Sequence, residues 1–286
     1  MGEIERQTAV IRALVGDCDI KIEEDGFLSR GYVIDGGRVV FKFPRNTGVH
    51  YDSEIANLNF VNSLDLRVHL QRPAYISPDG TYLGVFGVPG RSLEKLTLTA
   101  EQKSAVGAQL GTALNRLHAA KNENRGRLTL PDEIAAWTER MKSEEVCSFL
   151  AEAFTKDEQD AIRECFFRAM PQKLLALGDV PVFSHGDLGD GNIFVDADNK
   201  VGIIDFNESC YLEEAADFMD IGDAEICKEM LKYYGANAVL REKVAIRRKI
   251  RPLVVLRPYL LRGNRNEIRR LTAEIRRNLD LDNISG

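Results

Sequence analysis

The sequence predicts an α+β fold in two parts, a small strand-rich lobe of about 88 residues and a larger, mostly helical lobe of about 198. Three observations carry this. Alternating apolar runs recur between Gly31 and Gly90, helix-period apolar patterns dominate after Thr99, and Pro89–Gly90 breaks the chain where the pattern changes. The joint falls in "VFGVPGRSL", so the expected lobes are 1–88 and 89–286.

In the first lobe, "GYVIDGGRVVFKFP" is two β runs about Asp35, Gly36 and Gly37, a hairpin signal. "NTGVHYDSEIANLNFVNSL" then turns helical, with Ile55, Leu58, Phe60 and Val61 near a 3.6 period. "TYLGVFGVPG" returns to strand. Beyond it, Thr99 with Gln102 forms a capping box ahead of Val106, Leu110, Leu114 and Leu117 at helix spacing. "PDEIAAWTERMK" and "DEQDAIRECFFRAM" begin as helix N-termini prefer, with Pro and Asp. Short strands interrupt at 182–209, and from "EAADFMDI" onward the chain is expected to be helical.

Composition is that of an ordinary globular protein, 44% hydrophobic and 29% charged. Five scattered cysteines show no metal spacing and are read as free thiols in a reducing compartment. The first ten residues carry Glu3, Glu5 and Arg6 with no apolar core after them, and no run approaches the roughly 20 apolar residues that span a bilayer. A cytoplasmic protein with no membrane partner is expected. The net charge of −6 is uneven: residues 241–286 hold 13 Lys and Arg against 5 Asp and Glu, or +8, so the rest carries −14. The tail shows no aromatic–basic interleaving of the kind that stacks bases, so no nucleic-acid partner is expected. Its charges are read as solvated faces of the last helices.

The chemistry concentrates in "SHGDLGDGNIFVDADNKVGIIDF". "NIFVD" and "VGIID" read as two strands joined by "ADNK", a hairpin whose outer ends carry Asn192 and Asp205. A carboxylate and an amide oxygen are hard donors suited to Mg²⁺ carried with phosphates. Asp187 precedes them in a glycine-rich loop, available to a hydroxyl acceptor. The bland reading makes these turn and cap residues. Asp-x4-Asn followed 13 residues later by Asp after a strand is more specific, and it is the catalytic-loop layout of protein kinases.

A kinase also needs a phosphate anchor in its first lobe. Lys42 sits in "VVFKFP", and Glu54 follows twelve residues later on the helical segment, so an ion pair is feasible; His50 and Asp52 are the nearby alternatives. Upstream, "EDGFLSRGYVI" has the strand–turn–strand form of a phosphate-covering loop without GxGxxG. Backbone N–H groups of residues 27–30, Ser29 among them, are expected to reach phosphate.

At these residues the chain resembles the aminoglycoside phosphotransferase family, small-molecule kinases with a bilobal protein-kinase-like fold. The matching pieces are "DGFLSRGYVI", "VVFKFPR", "VFGVPGRSL", "LGTALNRLHAAK", "SHGDLGDGNIFVD", "VGIIDFNES" and "EEAADFMDI", in family order over roughly residues 20–225. The resemblance implies Asp187 as the catalytic Asp, Asn192 and Asp205 as Mg²⁺ ligands, and Lys42 on the phosphates of ATP or GTP, steadied by Glu54. It also implies His185 as a support of the loop, Asp217 as its brace, and backbone near Phe86 and Val88 at the nucleotide base. "DFN" stands where protein kinases have DFG, a position at which the family often varies, and no "APE" segment follows, which argues against a protein kinase.

The implied activity is transfer of a γ-phosphoryl group to a small-molecule hydroxyl, with an aminoglycoside as acceptor and antibiotic resistance as consequence. A macrolide, sugar or amino alcohol is the alternative acceptor, and the basic tail leans that way. Glu208, Glu213, Glu214, Asp220 and Asp223 are candidates to line a pocket for a polyamine, or else solvated helix charges. A catalytically silent nucleotide-binding module is disfavoured, since Lys42, Asp187, Asn192 and Asp205 are all present.

Overall fold

A computed structural model describes residues 2–24, 28–46, 48, 50–123 and 125–281. In chain order, the first elements are α1 (Glu3–Val15), β1 (Ile20–Glu23), β2 (Ser29–Ile34), β3 (Val39–Pro44), α2 (Asp52–Asn62), β4 (His69–Leu70), β5 (Arg72–Ile76), β6 (Leu83–Phe86) and β7 (Arg91–Ser92). Helices α3 (Ala100–Ala119), α4 (Leu130–Met141), α5 (Glu144–Ala153), α6 (Lys156–Glu164) and α7 (Met170–Ala176) follow. Then come β8 (Pro181–Ser184), β9 (Ile193–Val195), β10 (Val201–Ile203), β11 (Cys210–Glu213), α8 (Ala224–Tyr234), α9 (Ala238–Val254), α10 (Leu256–Arg262) and α11 (Arg265–Leu279). The fold is α+β, with its main sheet early and most helices late.

Packing divides the chain into two units. One holds residues 1–122, 189–209 and 222–234, and the other holds 123–188, 210–221 and 235–286. These units follow contact, whereas the expected lobes at 1–88 and 89–286 follow strand content and role.

In the first unit, a five-stranded antiparallel sheet runs β1-β2-β3-β6-β5. The hairpin at 35–37 is present: Ile34 pairs with Val39, and Asp35, Gly36 and Gly37 all take positive φ, which Gly and Asp tolerate best. Val39, Phe41 and Phe43 face a core with Ile11, Tyr32 and Ile34. Alternation therefore turns Lys42 to the opposite face of a central strand. Ile11 comes from α1, a helix not expected from the sequence. Its acidic residues Glu3 and Glu5 occupy the first turn, where carboxylates favour a helix, rather than marking a loop.

A second sheet of the same unit runs β4-β10-β9-β7. The expected β9–β10 hairpin is there, with Ile193 opposite Ile203. The Thr99–Gln102 capping box starts α3, which packs on α8 so closely that a Cβ on Gly111 would lie 2.3 Å from the Met230 carbonyl oxygen.

The second unit pairs β8 with β11 and gathers Trp137, Leu150, Ile162, Leu174, Ile250 and Leu271 into its core. Cys210–Glu213 pairs with Pro181–Ser184 as strand β11, and the helix expected from Glu214 onward is only a short 3₁₀ turn at Ala216–Phe218 before α8 begins at Ala224. Among the described residues no helix is long and apolar enough to cross a membrane.

Candidate active site

Strand β3 and helix α2 place Lys42 and Glu54 together. The Lys42 ammonium donates to Glu54 Oε1 at 2.6 Å and to Asp205 Oδ1 at 2.9 Å. Glu54 is 2% exposed and Lys42 16%, whereas Asp205 is 39% exposed. Burial alone would lower the Lys42 pKa, but the facing carboxylates of Glu54 and Asp205 outweigh it and hold the ammonium above its ordinary range. Burial pushes the Glu54 carboxyl up, Lys42 pulls it back only in part, and Asp205 adds to the rise. Of the three candidates for pairing Lys42, the structure selects Glu54 over His50 and Asp52.

Tyr51, immediately before α2, joins its hydroxyl to Ser29 Oγ at 2.9 Å. Burial pushes the Tyr51 phenol up to about 12. Ser29 is thus tied to the start of the helix that carries Glu54. Of the loop expected to reach phosphate, Phe27 lies outside the described residues.

Asp205 follows β10 in the left-handed conformation, with φ 65° and ψ 62°. Its backbone N–H donates to Gln71 Oε1 at 3.1 Å. Just beyond it, the amide of Asn57 donates to the carbonyls of Phe206 at 2.7 Å and Ser209 at 3.3 Å. Asn192 sits at the same open end of the β9–β10 hairpin, where its carbonyl accepts from the Ile204 N–H at 3.0 Å and its own N–H closes a turn onto Gly189 at 2.9 Å. No group of three or more His, Cys, Asp or Glu side chains among the described residues is arranged to hold a metal. One carboxylate reachable from solvent and one amide oxygen fit Mg²⁺, which takes oxygen ligands, keeps several waters and arrives with phosphates.

Phe86 ends β6, opposite Val39 and Arg72, with its ring half exposed. Val88 lies against Gly202 of β10, where an added Cβ would come within 3.1 Å of the valine side chain.

Asp187 belongs to the second unit. The loop that carries it is held from below by Asp217, 1% exposed, whose two carboxylate oxygens accept from the His185 N–H at 2.8 Å and the Gly186 N–H at 2.9 Å. His185 is fully buried, and its Nδ1 accepts from the Asp187 N–H at 3.2 Å, which requires the lone pair on that nitrogen. Asp187 itself is exposed. A carboxylate on a loop fixed at three backbone N–H groups can meet a ligand without reorganising.

The charged tail departs from expectation. Arg241, Lys249, Arg265 and Arg269 are exposed, as solvated helix faces should be. Lys243 and Arg247 of α9 are fully buried instead. Lys243 donates to Glu213 at 2.9 Å and Glu214 at 3.3 Å, and Arg247 donates to Glu213 at 3.0 Å and as a fork to Glu133 at 2.8 and 2.7 Å. Arg251 pairs with Asp220. In the first unit Asp223 pairs with Lys103 at 2.6 Å and accepts from N–H groups of the first turn of α8. Of the five acidic residues considered for a polyamine pocket, only Glu208 is left exposed without an ion pair to a basic side chain among those described. Gln71 and Asn57 were not found from the sequence. The signal available was Asn57 three residues after Glu54, on the same helical face.

A model of the phosphotransferase enzyme family matches residues 19–247. No curated protein matches in sequence. Among solved structures, the GDP complex of aminoglycoside 2'-phosphotransferase-IIIa superposes with a TM-score of 0.76 at 18% identity, covering 98% of this chain and 100% of that one. Macrolide 2'-phosphotransferase MphH from Brachybacterium faecium gives 0.66 at 18% identity over 94% and 97%. A choline/ethanolamine kinase family protein from Mesorhizobium loti gives 0.67 at 16% identity over 97% and 98%.

Proposed function

The chain belongs to the phosphotransferase enzyme family, and from that premise we propose that it transfers the γ-phosphoryl group of ATP or GTP to a hydroxyl of a small molecule. The observation that carries this reading is the Lys42 ammonium held between Glu54 and Asp205. A fully charged, oriented cation next to a solvent-reachable carboxylate is what the phosphates and their cation require.

Each residue has one task. Lys42 neutralises phosphate charge, and Glu54 keeps its ammonium aimed. Ser29 lies on the strand that leads out of the phosphate-covering loop, and Phe86 and Val88 offer backbone to the base. Asn192 and Asp205 would hold Mg²⁺, which when bound offsets charge on the β and γ oxygens. Asp187 accepts a hydrogen bond from the acceptor hydroxyl and aligns it with the γ-phosphorus. As the new O–P bond forms and the β–γ bridging O–P bond breaks, the hydroxyl proton passes to Asp187 and the nucleoside diphosphate leaves. A carboxylate is too weak a base to strip an alcohol in the ground state, so the proton moves late and positioning carries most of the rate.

An aminoglycoside is the first acceptor to test, since the family resemblance points there and structures with TM-scores up to 0.76 are of enzymes named for that substrate. Resistance in a cytoplasmic setting would follow from that acceptor. A specific observation favours a second reading. Glu213, Glu214, Asp220 and Asp223 are held by Lys243, Arg247, Arg251 and Lys103, which removes four carboxylates that would attract a polycation. A less cationic acceptor, such as a macrolide, sugar or amino alcohol, fits that neutralised surface.

A Mg²⁺-dependent nucleotide-consumption screen across these four acceptor classes separates the readings. Turnover with an aminoglycoside supports the first and turnover confined to the others supports the second. Tight nucleotide binding without turnover on any of them overturns the kinase assignment in favour of a silent module.

A further inference from the structure

Asp205 occupies a backbone conformation that non-glycine residues adopt rarely, at φ 65°. Asp reaches it more readily than most side chains, and surrounding contacts decide whether it is fixed there. Two buried amides supply such contacts from opposite sides. Gln71, 3% exposed and placed between β4 and β5, takes the Asp205 N–H on its Oε1 at 3.1 Å. Asn57, fully buried on α2, gives both contacts of its amide nitrogen to the turn that follows, Phe206 O at 2.7 Å and Ser209 O at 3.3 Å.

These contacts are connected to the rest of the site. Asn57 lies three residues after Glu54 on α2, so one helix both aims Lys42 and fixes the segment after Asp205. The backbone carbonyl of Gln71 accepts from Asn62, also on α2, at 2.7 Å. The Asn57 Oδ1 has no hydrogen-bond partner among the described residues although it is buried. Burying an amide oxygen unpaired is unfavourable, and an apolar residue of similar size would avoid that cost. The retained amide is explained by what its nitrogen holds.

Resting on the kinase reading above, we infer that Asn57 and Gln71 are positioning residues that clamp Asp205 in its left-handed conformation and so set the cation-dependent part of nucleotide affinity. Each acts through the backbone on either side of Asp205.

The test measures nucleoside diphosphate binding by calorimetry with Mg²⁺ and with chelator, on wild type, Gln71→Met and Asn57→Leu. Gln71→Met keeps the length of the side chain and removes its amide, and with it the acceptor for the Asp205 N–H, so it remains informative if Asn57→Leu fails to fold. The expected result is that Mg²⁺ strengthens binding to the wild type, and that in Gln71→Met this enhancement falls roughly tenfold while affinity in chelator stays within about twofold. Thermal melting would show a folded variant throughout. A purely structural role would weaken both affinities alike or neither, and either outcome overturns the inference alone. A wild type whose nucleotide binding ignores Mg²⁺ overturns the inference together with the reading it rests on.

Discussion

Lys42 and Asp205, 163 residues apart in the chain, are joined by a 2.9 Å charge-assisted hydrogen bond. The same ammonium holds Glu54 at 2.6 Å, so one cation organises two carboxylates from different elements. Lys42→Met keeps the stem and removes the charge, leaving Glu54 and Asp205 without their shared partner. We expect kcat/KM for the nucleotide to fall by roughly 10²–10³, the cost of losing one preorganised electrostatic contact to the transferring group. Steady-state kinetics with varied nucleotide check this, and an unchanged kcat/KM would remove Lys42 from the site.

The buried pair has a pH signature. Burial raises the Glu54 pKa above its ordinary 4.5, so the folded state binds this proton more tightly than the unfolded state does. The stabilising contribution is therefore complete below pH 4.5 and is lost as pH rises through the folded value. Wild-type stability relative to Glu54→Gln should shrink as pH rises above 4.5, as read by urea unfolding of both proteins. Lys42 has the same sign in a higher window. Its raised pKa keeps the ammonium charged beyond 10.5, so no loss of stability from this group is expected between pH 7 and pH 10.

Asp217 accepts from two successive backbone N–H groups, at 2.8 and 2.9 Å, directly before Asp187. Asn supplies one acceptor oxygen where Asp supplies two, so Asp217→Asn leaves one buried donor unpaired and loosens the loop. We expect kcat to drop about tenfold or more with nucleotide affinity unchanged, because Lys42, Asn192 and Asp205 belong to the other unit. Single-turnover rates beside calorimetric Kd values make the comparison. An equal loss in both would assign Asp217 a general stabilising role instead.

How much of this was legible in the sequence depends on how local each signal is. The β9–β10 hairpin, the Asp35–Gly37 turn and the Thr99–Gln102 capping box each rest on adjacent residues, and each was read correctly. Lys42 with Glu54 was legible because strand and helix follow one another closely. Gln71 and Asn57 were not, since a buried amide is known by the backbone it meets, and that backbone lies 134 and 149 residues away. Helix α1 was hidden because Glu3, Glu5 and Arg6 read as polarity rather than as a favourable first turn. The charges of α9 were misread for a related reason. A basic residue on a helix looks the same in sequence whether it faces water or a buried carboxylate.

That last distinction can be measured. Arg247 is fully buried, forks onto Glu133, donates to Glu213 and lies 5.2 Å from the centre of the Trp137 ring. Arg247→Leu would leave two carboxylates facing an apolar side chain, and breaking a buried ion pair from one side costs about 3–5 kcal/mol. Urea unfolding should show that loss. Replacing the partners as well, with Glu133→Leu and Glu213→Met added, removes the stranded carboxylates while Lys243 keeps Glu214, and should recover most of it, because well-packed apolar groups substitute for buried ion pairs at little net cost. If the single variant were as stable as wild type, Arg247 would be reaching water in solution. Glu213 would then rest on Lys243 alone, and the case for a less cationic acceptor would be weakened at that residue.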